Sequence, residues 1–140
     1  MSSNVMITDG QGNPVLGVPY PVGATPVLAT ALTGGNTSIT ATLPAAVGKT
    51  TYITGFTVSY VGNTAGTASL VTVSGLLGGV TASYLIPVPP IASWWQTVPL
   101  TIPFNPAFPA SATNTSIAVN VPALGVGNFG ATLTVQGYQL

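Results

Sequence analysis

The chain has 140 residues, the size of one domain, and 46% of them are hydrophobic, so it can build a core. Its charge content is the anomaly: Asp9 and Lys49 are the only charged side chains, 1% of the total, and there is no histidine and no cysteine. One carboxylate without imidazole or thiol excludes catalytic triads, paired-carboxylate hydrolysis and zinc or high-affinity calcium sites, and a single lysine excludes a phosphate-binding surface for nucleic acid.

Residues 1–37 read as an extended N-terminal arm. Residues 5–8 have the composition of a short strand, and Asp9-Gly10-Gln11-Gly12-Asn13-Pro14 is dense turn chemistry. Val15 opens a returning strand of a small hairpin. Pro19, Pro21 and Pro26 then forbid helix and disfavour a central strand. Apolar residues continue through Val27, Leu28, Ala31 and Leu32, whereas disordered leaders are depleted in them. Such an arm is expected to lie on a neighbouring subunit, with Val5, Ile7, Val15, Tyr20, Val22, Val27 and Leu28 as its contacts. The segment Met-Ser-Ser-Asn has no basic region and no long apolar run, so no secretory signal is expected.

Residues 38–140 read as one antiparallel β-sandwich. Ile39, Ala41 and Leu43 share a face. Residues 50–61 form the clearest strand, with Tyr52, Thr54, Phe56, Val58 and Tyr60 on one side and Gly55, Thr57 and Ser59 on the other. Residues 67–74 follow, with Val71 and Val73 opposed to Leu70, and residues 81–88 end at Pro89-Pro90. Residues 94–104 read as one strand, with Val98, Leu100, Ile102 and Phe104 together and Pro99 and Pro103 opposite, as on an edge. Residues 105–114 read as a connection. Residues 116–121 and 131–140 complete about seven strands, and no stretch has a helical period. The longer connections favour a jelly roll over an immunoglobulin-like topology.

Several short motifs have a bland reading. Gly48-Lys49-Thr50 resembles the end of a phosphate-binding loop, but the required upstream glycine is Leu43 and a strand follows instead of a helix. Asn36-Thr37-Ser38 and Asn114-Thr115-Ser116 match the glycosylation pattern, as chance provides in a chain rich in Thr, Ser and Asn. Trp94-Trp95 is either one core ring beside one covered ring, or an interface anchor, since adjacent strand residues face opposite ways. A sugar-stacking platform is the least favoured use. No apolar run reaches the ~20 residues of a spanning helix, and no membrane partner is expected.

From residue 38 onward the chain resembles short β-sandwich proteins encoded among the structural genes of tailed bacteriophages and prophages. The likeness rests on Leu43-Pro44-Ala45 leading into residues 49–56, on Val73-Ser74-Gly75-Leu76-Leu77-Gly78-Gly79, and on Tyr84-Leu85-Ile86-Pro87-Val88-Pro89. It continues at Phe104 with Pro109-Ala110-Ser111-Ala112, and from Val121-Pro122-Ala123 to Gly137-Tyr138. The resemblance implies a virion component without enzymatic residues or cofactors. Near-zero net charge favours self-association. The combined expectation is a capsid decoration (cement) protein on the capsid exterior, made in the host cytoplasm. It is expected to form homo-oligomers, trimers favoured, and to bind the major capsid protein or other virion subunits. A receptor-binding tail, baseplate or fibre module is the alternative, and a carbohydrate-binding module a further one.

Overall fold

The computed structural model describes Gln11 and residues 20–64, 67–96 and 99–140; for residues 91–96 it describes the strand and not its side chains. The strands among these residues are β1 (Thr25–Thr33), β2 (Ile39–Leu43), β3 (Thr51–Asn63), β4 (Thr67–Ser74), β5 (Ala82–Val88), β6 (Ile91–Gln96), β7 (Leu100–Pro109), β8 (Ile117–Val121) and β9 (Gly130–Gln139). They form two antiparallel sheets. The five-stranded sheet runs β1-β9-β3, and β6 and β7 share the far side of β3; the four-stranded sheet runs β2-β8-β4-β5. The predicted all-β sandwich is what forms.

The period-two pattern places the core. Ile39, Ala41 and Leu43 of β2 point inward beside Ile117, Val119 and Val121 of β8, and Thr40 and Thr42 point out. Val71 and Val73 are fully buried, while Leu70 on the opposite face is exposed. From the other sheet Phe56, Val58, Leu133 and Val135 meet them, so both sheets supply one continuous apolar layer. Polar groups close its end: Gln139 Nε2 and Thr51 Oγ1, both on buried residues, donate to the Pro44 carbonyl at 2.7 and 2.9 Å.

Strand β3 departs from the expected single face. Phe56, Val58 and Tyr60 are buried, but so is Ile53, and Tyr52 lies on the outer side stacked on Tyr138 at 4.8 Å. The cause is a register shift between Ile53 and Gly55 against both β9 and β7. A bulge adds one residue and exchanges the two faces beyond it. Gly55 is required there, because a Cβ would lie 2.7 Å from the Ile102 carbonyl oxygen.

The predicted strand over 94–104 is two strands, β6 and β7, and Val98 lies outside the described residues. Strand β7 also continues through much of the expected connection, to Pro109. Proline is tolerated because β7 pairs only with β3 among the described residues, so its other edge needs no donor. The same logic holds for every proline inside a described strand: Pro26 lies on β1, Pro87 on β5, and Pro103, Pro106 and Pro109 on β7, all edge strands.

The stretch expected to be an arm, residues 1–37, contains a sandwich strand, and its residues 1–10 and 12–19, with the expected hairpin, lie outside the described residues. Thr25–Thr33 is a full strand of the sandwich, paired with β9 from Thr25↔Gln139 to Thr33↔Ala131. Both glycosylation-like asparagines are occupied by the backbone. Asn36 Oδ1 accepts the Gly125 N–H at 2.8 Å, and Asn114, at φ 60°, accepts the Gly48 N–H at 2.8 Å. Asparagine is one of the few side chains that tolerate this left-handed conformation.

A flat pH profile follows from the composition. Reference values place no side chain of this chain between about pH 5 and 9. Burial raises the phenol pKa of Tyr60, Tyr84 and Tyr138, so the fold favours the neutral ring. That stability is fully present below the ordinary value near 10 and is lost as pH rises through the raised folded values. Calorimetry is expected to give a constant Tm across the neutral range and a fall only in strong alkali; a transition near pH 6–7 would contradict it.

Candidate functional site

Among the described residues no group of three His, Cys, Asp or Glu approaches a metal-binding arrangement. Lys49 sits in the turn before β3 and donates to Thr25 Oγ1 at 2.9 Å, which ties that turn to the start of β1. No helix follows it, so the phosphate-loop likeness ends at the sequence.

The predicted interface residues separate into five groups, with Tyr20 on its own. Val5, Ile7 and Val15 lie outside the described residues. Trp94 and Trp95 are on β6, where the strand alone is described. Val27 faces inward, half-buried against the core, because Val27, Ala29 and Ala31 form the inner row of β1. Val22 and Leu28 are exposed, at 80% and 63%, and Leu32 joins Leu28 on the outer row at 77%. A comparable pair occupies the outer face of the second sheet, where Leu70 and Leu85 stand directly opposite each other on β4 and β5. Each sheet therefore carries exposed leucines on its solvent side, with no charged residue in either strand pair.

Tyr20 belongs to a different feature. Its ring meets Tyr138 edge-on at 5.8 Å, and Tyr138 stacks in turn on Tyr52 with only 11° between the planes. Burial first, and the neighbouring Tyr52 second, raise the Tyr138 pKa, so its hydroxyl keeps its proton. Beside this stack lies an open depression of ≈ 650 Å³ on the outer side of the five-stranded sheet. The β3 bulge forms its floor at Thr54, β9 lends Gln136 and Tyr138, and residues 104–107 of β7 form the far wall. On that wall Phe104 stacks on Phe108 at 4.9 Å and reaches Phe56 at 6.0 Å, so it is held from the core side.

Sequence reasoning found Tyr20 but not the rest of this depression. Its residues come from four separate segments, and the bulge that turns Tyr52 and Thr54 outward has no signature beyond Gly55. The Asn105-Pro106 pair was the available signal, and it read as a connection. Comparisons with protein-family models, with characterised proteins and with solved structures return no match for this chain.

Proposed function

We propose that this chain is a non-enzymatic virion structural protein, a capsid decoration protein that attaches through its N-terminal segment and self-associates through the sandwich. The observation that carries the reading is the pairing of exposed leucines on both outer faces with a near absence of charge: Leu28 and Leu32 on one sheet, Leu70 and Leu85 on the other. A free domain normally surrounds such residues with charge; this one leaves them for other chains to cover. The resemblance of residues 38–140 to sandwich proteins among phage structural genes supports the same class. Each leucine side chain withdrawn from water is worth about 1.5–3 kcal/mol. A contact of about 800 Å² per copy would supply about 20 kcal/mol of gross burial before entropic costs.

The test is attachment and copy number on the particle. Removing residues 1–19 leaves β1 in its sheet, whereas a cut reaching residue 37 strips β9 of its outer neighbour. The shortened chain is expected to fold with an unchanged Tm and to be lost from purified particles. Full occupancy without residues 1–19 would sink the attachment role. Labelled wild-type chain is expected at hundreds of copies per particle; a handful would move it to the tail or fibre. The double variant Leu28→Lys, Leu32→Lys should sediment as a monomer, since both side chains are exposed and the sheet tolerates the change.

A further inference from the structure

We infer that the depression over the β3 bulge is a binding site for a neutral saccharide, formed by the half-buried ring of Tyr20, backed by the buried rings of Phe104 and Tyr138, and by the uncharged polar side chains of Thr54, Asn105 and Gln136. The inference does not rest on the virion reading and goes beyond it.

The shape comes first. A depression of ≈ 650 Å³ falls inside the range of small-ligand sites, about 300–1,000 Å³. Its walls are set in advance. Tyr138 is clamped between Tyr52 and Tyr20, and Phe104 between Phe56 and Phe108; both are buried and form a rigid backing, which leaves the half-buried Tyr20 as the ring with surface for a ligand. The rim is different in kind. Asn105 and Gln136 are exposed, and neither side chain makes a hydrogen bond to another described residue. Each amide offers two donors and an acceptor. Thr54 adds a hydroxyl at the floor.

The electrostatics then choose the ligand class. The lining holds no charged residue, and Lys49 is engaged with Thr25. A phosphate, a carboxylate or an ammonium group would lose its water there without gaining a counter-charge. A purely apolar ligand would leave both amides covered and unpaired. A pyranose meets both demands. Its C–H face lies against the Tyr20 ring, and its hydroxyls exchange hydrogen bonds with amide and hydroxyl groups, as fits one partly exposed aromatic beside a neutral polar rim. A proline-rich peptide also uses aromatic grooves. It brings carbonyl acceptors and few donors, so it would leave the acceptor oxygens of Asn105 and Gln136 unmatched.

The experiment uses the full chain and a defined panel: chito-, manno-, malto- and cello-oligosaccharides, with a proline-rich decapeptide beside them. Binding is followed by ligand-observed NMR and by calorimetry. At least one oligosaccharide is expected to bind, with saturation transfer strongest at ring C–H protons. The variant Asn105→Ala, Gln136→Ala changes only exposed side chains and should keep the wild-type Tm while losing about tenfold or more in affinity. Tyr20→Ala should weaken binding as well. Failure of every oligosaccharide to bind overturns the inference. So does binding that survives the double amide variant, or binding of the decapeptide alone. None of these results bears on whether the chain attaches to a capsid.

Discussion

Replacing Gly137 with valine is expected to abolish the native fold. Gly137 stands opposite Ile53 in the pairing of β9 with β3, the central contact of the five-stranded sheet. A Cβ at this position would collide with the Tyr52 carbonyl oxygen, would lie 3.2 Å from the carbonyl carbon, and would come within 2.7 Å of Leu43 Cδ1. The first two obstacles are backbone and cannot rotate away. Relief requires β9 to leave β3, which breaks the ladder, the Tyr52–Tyr138 stack and the Gln139 bond to Pro44 together. The loss should exceed about 4 kcal/mol, among the largest single-residue effects. Soluble yield and near-UV circular dichroism report it. Gly34→Ala is the control, because nothing lies within 4 Å of a Cβ there. A well-folded valine variant would show that the β3–β9 register differs from the one described.

The second large effect is expected at Phe56, just beyond the bulge. Its ring is 1% exposed and meets Tyr84 of β5 at 5.8 Å and Phe104 of β7 at 6.0 Å. It therefore joins the two sheets at one point. Phe56→Ala should cost about 3–5 kcal/mol, the transfer of the ring plus the cavity it leaves. Urea unfolding at constant m would show this as a lowered midpoint. The depression offers a second readout, since Phe104 loses one of its core-side neighbours and keeps Tyr84 at 5.6 Å. A loss below about 1 kcal/mol would mean that neighbouring chains collapse into the space.

The strands that read clearly from the sequence are those whose large residues all point one way. Ile39, Ala41 and Leu43, or Ile117, Val119 and Val121, alternate with polar residues and end up inside. Strand β1 also alternates, but with the sizes inverted: Val27, Ala29 and Ala31 face the core while Leu28 and Leu32 face out. A rule that puts the larger apolar residues inside cannot orient it, and its prolines suggested an arm. Strand β7 was hidden for a related reason, since Pro103, Pro106 and Pro109 look like a loop until the strand is known to be an edge. The depression was the least legible feature. It depends on a face exchange at Gly55, which turns Tyr52 and Thr54 toward solvent and no local pattern announces.

The prolines of the edge strands have a consequence for the conditions in which those edges stay unpaired. Charged side chains, lysine above all, are one common guard of sheet borders, and their repulsion weakens as salt rises and changes with titration. Here the guard is a missing N–H at Pro26, Pro87, Pro103, Pro106 and Pro109. An absent donor is neither screened nor titrated. Along β1, β5 and β7 the protection against edge-to-edge pairing should therefore be the same at low and high salt and across pH, whereas the borders at β2 and β6 carry no proline.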